Sequence, residues 1–229
     1  SCSSDEAEEL IKEKKVKAII GMDRWEDAAI VADIAGQAQV PVISFSAPGI
    51  VLPSAQNRWP LLVKMARDES EQMKCIAAIL RSYNWRRVVA VYEDDIYGGD
   101  SGKLAILADA IKESGADIEH RLVLPPLSSL SDPKRAVQEE LKKLRNVNSR
   151  VFIVLQTSLP LVVHLFREAK NAKLMETDNV WILSDKVAGF LDMVNTSVIY
   201  SMEGALGIRN YYPEDTIPYY EFDTMFKRA

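Results

Sequence analysis

The feature that most constrains this chain is a regular alternation of short apolar runs with segments of helical period. The runs "VKAII" (16–20), "VPVISF" (40–45), "LLVKM" (61–65) and "RVVAVYE" (87–93) have strand length. So do "DIEHRLVL" (117–124), "RVFIVLQ" (150–156), "NVWILSD" (179–185) and "MEGALGIRN" (202–210). Between them, residues 24–38, 68–84, 102–114, 132–146 and 159–172 carry apolar side chains at helical spacing. Ser3 and Glu6 have capping-box spacing for an opening helix that runs to about Lys15. Asp132 followed by Pro133 starts a helix, and Gly115 can end one. Strands that alternate with helices form right-handed βαβ units and a mainly parallel sheet. The expected fold class is therefore α/β.

Composition narrows the functions. The 229 residues are enough for one large domain or two small lobes. A formal net charge of −5 argues against a sequence-independent phosphate binder, which needs a basic face, so no nucleic-acid partner is expected. No apolar run is long enough to cross a bilayer. The chain opens without Met and without a signal-type apolar region, and it reads as a piece of a longer protein. Its two cysteines, Cys2 and Cys75, form no CxxC or Cys/His cluster, so no metal site is expected. Cys75 is expected as a buried thiol on an apolar helix face, with a Cys2–Cys75 disulfide as the alternative in an oxidising compartment.

In open α/β sheets ligands sit beyond the carboxyl ends of the strands, so those loops concentrate the candidate chemistry. "YGGDSG" (97–102) either presents backbone N–H groups to an anion or is a turn and helix cap; it lacks a nucleotide fingerprint. Tyr97 either offers its ring face to an ammonium group or packs. Asp185 either pairs with a ligand amine or caps the next helix. Ser46 either donates to a carboxylate or bonds its own turn. The acidic run Glu93–Asp94–Asp95 has no nearby His or phosphate loop and reads as a solvated turn. His120 and His164 do not sit at strand ends, and GxSxG is absent, so no catalytic arrangement emerges. "NTS" (195–197) matches the glycosylation sequon at Asn195, and an occupied site would exclude the cytosol.

Taken in order, "AIIG", "VPVISFSA", "SEQMKCIAAILRSYNWRRVVAVYEDDIYG", "SRVFIVL" and "VWILSD" resemble the amino-terminal extracellular domain of plant glutamate receptor-like channels. That family is similar to bacterial leucine/isoleucine/valine-binding proteins and metabotropic glutamate receptors. The resemblance runs from about Val16 to the C-terminus. It implies a two-lobed type I periplasmic-binding-protein fold, each lobe a mainly parallel sheet flanked by helices. It also implies an incomplete first lobe at 1–66, a second lobe at 67–208, and a crossover returning at 209–229.

The resemblance further implies an amino-acid-like ligand held between the lobes. Its carboxylate would rest on Gly21, Met22 and Trp25 and on Ser46, Ala47 and Pro48; its amine would meet Tyr97 and Asp185. The chain departs from the family on the carboxylate side. "MDRW" stands where the family has Pro and a small hydroxyl residue, and Pro48–Gly49 stands for Thr-Ser. Losing a hydroxyl removes a donor for a carboxylate, and Pro48 removes a backbone N–H. Two functions follow: a ligand-sensing segment of a ligand-gated cation channel on the extracellular side of a membrane, or an assembly module with a degenerate cleft. Neighbouring receptor subunits are implied partners; no cofactor and no enzymatic role are implied. The Ala- and Val-rich helix over 24–38 is expected to pack against a first helix of the lobe that is missing from this chain, or against a neighbouring subunit.

Overall fold

The computed structural model describes residues 4–22, 25–45, 58–65, 69–94, 102–189, 191, 194–209, 211, 213 and 215–227. Two parallel sheets organise them. The first has the order β1 (Ile19–Gly21), β2 (Val42–Ser44), β3 (Leu62–Lys64). The second is built from β4 (Arg87–Glu93), β5 (Asp117–Leu124), β6 (Val151–Gln156), β7 (Val180–Leu183) and β8 (Leu206–Gly207), in the order β5-β4-β6-β7-β8. Every pairing in both sheets is parallel.

Strand parity decides which side chain joins which core. In the second sheet Val89, Val91, Phe152, Val154, Trp181 and Leu183 enter one cluster. The intervening Val88, Ala90, Val151, Ile153 and Ile182 enter another. Both faces of the central strands β4, β6 and β7 are buried, as a sheet made of βαβ crossovers requires. This explains why those three read as continuous apolar runs while the edge strand β5 is mixed. Helices α3 (Glu69–Ser82) and α4 (Lys103–Glu113) cover one face with Met73, Ile76, Leu80, Leu107 and Ile111. Helices α5 (Pro133–Lys143) and α6 (Leu159–Asn171) cover the other with Val137, Leu141, Leu161, Leu165 and Phe166.

The punctuation expected from sequence has a geometric cause. Asp132 caps α5 by accepting the Arg135 N–H at 3.1 Å, and Pro133 follows in the first turn. Gly115 follows α4 with φ +74°, and a Cβ there would lie 2.5 Å from Arg86 Nη1. Arg86 approaches that closely because its guanidinium donates to the Gly115 carbonyl at 3.2 Å.

The first sheet is covered differently. Ile19 and Val42 pack on α1 (Ser4–Lys12) and α2 (Trp25–Gln37) through Ala7, Val31 and Ala35. So α2 buries its small apolar face against its own sheet and α1. The opposite parity, Ile20 paired with Ile43 and Val63, faces out; Ile20 is 64% and Val63 50% exposed.

Two expectations are corrected. Cys75 is an exposed free thiol, because Met73, Ile76, Ala77 and Leu80 take the buried face of α3 and position 75 falls between them; Cys2 lies outside the described residues. The run 202–210 yields only the two-residue β8, preceded by α8 (Thr196–Ser201), and α9 (Ile217–Phe226) follows. The short α7 (Asp185–Ala188) lies between β7 and α8.

A carboxylate in the edge strand β5, at its register shift against β4, gives a pH-dependent prediction. Glu119 accepts the backbone N–H groups of Asn148 and Ser149 at 3.0 and 2.9 Å. Those bonds, with Arg87 nearby, lower its pKa below the ordinary 4.5. A lowered folded-state pKa contributes stability above the unfolded value, and that contribution is lost as pH falls through the folded value. Glu119→Gln is therefore expected to lower the urea midpoint at pH 7, with the gap closing below about pH 4.5. An equal gap at pH 7 and at acid pH would contradict this assignment.

Candidate functional site

The carboxyl ends of β4, β6 and β7 lie side by side, because β6 sits between the other two. Glu93, Ser158, Ser184 and Asp185 therefore gather along one sheet edge. Glu93 closes β4 and is half-buried. Its Oε1 accepts the Leu127 N–H at 2.9 Å and its Oε2 accepts the Ser158 N–H at 2.5 Å. The reading of 93–95 as a solvated turn is thus corrected at Glu93, which is a bracket between a one-turn 3-10 helix (Leu127–Ser129) and the start of α6. The signal in sequence was weak: an acidic residue at a strand end looks the same whether it faces water or two backbone amides.

Ser158 occupies the N-cap position of α6, and its Oγ is buried without a hydrogen-bond partner among the described residues. Ser184 is fully buried; its Oγ donates to the Leu155 carbonyl at 2.7 Å and its N–H to Val154 at 3.0 Å. That pair of bonds fixes the exit of β7. Asp185 then stands in the first turn of α7, half-buried and already engaged within the chain, with Ser184 in the N-cap position.

At the first sheet, Gly21 ends β1 with φ +149°, an angle side chains rarely adopt, and its carbonyl accepts the Phe45 N–H at 3.2 Å. Met22 follows with φ +63° and is half-buried, packed against the small core. Trp25 opens α2, its side chain outside the described residues. Ser46, Ala47, Pro48 and Tyr97 also lie outside them. Gly102, the last residue of "YGGDSG", occupies the N-cap position of α4.

An unanticipated clasp holds the chain where it re-enters β3. Asp33 on α2 accepts from Arg58 Nε at 3.2 Å, Arg58 Nη2 at 2.7 Å and Trp59 Nε1 at 2.7 Å. The Arg58 guanidinium also lies 4.8 Å from the Trp59 ring centroid. The two-point guanidinium contact, with the Trp59 bond, lowers the Asp33 pKa. No spacing rule links positions 33, 58 and 59, so only the folded chain brings them together.

Asn195 caps α8 and is exposed. Its Oδ1 accepts the Val198 N–H at 3.4 Å and the Ser197 hydroxyl at 2.8 Å. Among the described residues no group of His, Cys, Asp and Glu is disposed to hold a metal ion, and no helix is long and apolar enough to cross a membrane.

Comparison with known proteins decides the family. The family described as "Receptor family ligand binding region" matches residues 3–225. The chain belongs to this receptor ligand-binding family. Glutamate receptor 2.6 of Arabidopsis thaliana is 36% identical over 204 residues, covering 89% of this chain and 20% of that protein. Glutamate receptor 2.7 of the same plant is 35% identical over 213 residues, covering 93% and 21%. The chain thus spans about a fifth of the length of these receptors.

A solute-binding protein of an ABC transporter from Rhodopseudomonas palustris HaA2, solved with p-hydroxybenzoic acid, aligns over 100% of this chain and 60% of its own. The TM-score is 0.79 at 16% identity. A second R. palustris solute-binding protein, solved with 4-hydroxybenzoate, gives 0.68 at 16% identity, covering 85% of this chain and 50% of that one. The type I periplasmic-binding-protein fold and the resemblance to plant glutamate receptors are both borne out. The relatives are receptors and solute-binding proteins.

Proposed function

We propose that this chain is part of the extracellular ligand-sensing domain of a glutamate receptor-like, ligand-gated cation channel, binding a small amino-acid-like molecule between two lobes. The observation that carries the reading is the match of a receptor ligand-binding family to residues 3–225. The parallel sheets add support, since the carboxyl end of one carries Gly21 and Met22 and that of the other carries the half-buried Asp185. The first lobe is assigned to 1–66, the second to 67–208 and the return to 209–229. In this reading the chain has no catalytic role. A ligand biases the channel only through different affinities for open and closed lobes. Neighbouring subunits receive the bias, and a glycan on Asn195 fits the extracellular side.

A second reading is favoured by the departures at Met22–Trp25 and Pro48–Gly49, which weaken the carboxylate side. In it the domain is an assembly module of the same channel with a degenerate cleft.

Calorimetry on the receptor ectodomain with a panel of amino acids separates the two. The sensing reading expects saturable heat for at least one member. It also expects Asp185→Asn to weaken that binding roughly 30-fold or more, the scale of a lost buried charge partner. No heat from any member, with binding gained by a Trp25→Ser/Pro48→Thr variant, would establish the degenerate cleft instead.

A further inference from the structure

The opposite edge of the second sheet carries a feature that the amino-acid reading does not use. Where the strands begin, a cavity of about 880 Å³ opens among the ends of α3, α6 and α8 and the starts of β7 and β8. This is within the size range of small-molecule sites. It is far from the carboxyl-end loops, because α6 runs back across the sheet and delivers its last turn here.

The wall chemistry is specific. Tyr83 and Trp85 stack at 4.8 Å between centroids with 15° between their planes. Tyr83 is 64% exposed and Tyr200, also on the wall, is 63% exposed. Large aromatic faces held open to water at a cavity mouth are platforms for an amphipathic ligand. Lys170 is committed to the Tyr200 carbonyl at 2.8 Å, which fixes α8 against α6. The four charged wall residues cancel: Lys170 and Lys173 against Glu176 and Glu203. Asn179 also lines the cavity, and its Oδ1 is buried without a hydrogen-bond partner among the described residues.

We propose that this cavity binds a neutral saccharide, with ring C–H faces on Tyr83, Trp85 and Tyr200 and hydroxyls on the surrounding amides and charges. The alternatives fit worse. A simple anion or cation meets a wall of zero net charge. An organic cation finds aromatic faces but two lysines beside them. A purely apolar ligand desolvates carboxylates, ammonium groups and amides without pairing them, which is costly. A saccharide presents flat apolar faces and a rim of hydroxyls that both donate and accept.

The test is saturation-transfer NMR and tryptophan fluorescence on the chain. The probes are cellotetraose, which is all hydroxyl, and chitotriose, which carries the acetamido groups of an N-glycan core; tetramethylammonium and indole serve as controls. One of the two sugars is expected to saturate, with a Kd of about 1 mM or tighter. Tyr83→Ala and Tyr200→Ala are each expected to weaken it roughly three- to tenfold with unchanged circular dichroism, since both rings are exposed. Asp185→Asn is expected to leave sugar affinity unaltered. The proposal is overturned if neither sugar saturates, if indole or tetramethylammonium binds this cavity in preference, or if both tyrosine variants bind as the native chain does.

Discussion

Trp181→Ala is expected to destabilise the five-stranded half of the molecule by about 3–5 kcal/mol, the range for deleting a large aromatic from a core. Trp181 is 1% exposed. It stacks on Phe152 at 4.5 Å between centroids and meets Phe166 edge-on at 5.2 Å. These contacts join β7 to its neighbour β6 and to α6 above them. Its indole N–H also donates to the Leu174 carbonyl at 2.8 Å, tying the turn after α6 to the sheet. Alanine removes all of this at once. Trp181→Phe keeps the stacking but leaves the Leu174 carbonyl unpaired, so a smaller loss of about 1–2 kcal/mol is expected. Urea unfolding with an unchanged slope is the measurement. A loss near zero for alanine would show that the ring cluster is not central to the core.

Glu93→Ala is expected to cost about 2–4 kcal/mol, because two backbone N–H groups lose a charged acceptor together. One belongs to Leu127 and the other to Ser158, which lie 31 residues apart in sequence yet meet at a single carboxylate. The effect is also local in a way stability alone does not reveal. Amide exchange at Leu127 and Ser158 is expected to accelerate more than exchange in β4 itself. Glu93→Asp is expected to fall between, since the shorter side chain cannot reach both groups. Unchanged protection at both amides would remove Glu93 from its bracketing role. Since Ser158 stands at the N-cap of α6, the same variant loosens the sheet edge on which Ser184 and Asp185 lie.

The candidate site was legible only in part. The strand ends were read correctly at Glu93, Leu124 and Gln156, whereas β1 runs one residue past the expected end at Ile20 and β7 stops at Leu183, two residues before the expected Asp185. What those ends do was less visible. Glu93 read as part of a solvated turn and Asp33 carried no reading at all, yet both are structural acceptors whose partners come from distant segments. Met22 was a ligand candidate through the family resemblance, and only the folded chain shows that it also packs against the small core. Cys75 was misplaced by one position on a helix, a rotation of about 100° that moves a side chain from core to solvent.

Alone, the sequence determined the α/β class, the order of the main elements and the receptor family. Each of those rests on local periodicity, on caps such as Asp132 and glycines such as Gly115, or on a run of residues read in order. The tertiary structure decided which strands are neighbours, which parity enters which core and where polar side chains find their partners. It also created the aromatic cavity at the amino-terminal edge, from residues as distant as Tyr83 and Tyr200. The physical reason is range: periodicity and capping act over one or two helical turns. Hydrogen bonds such as Glu93 to Ser158 and stacks such as Phe152 on Trp181 exist only after the sheet has brought remote segments together.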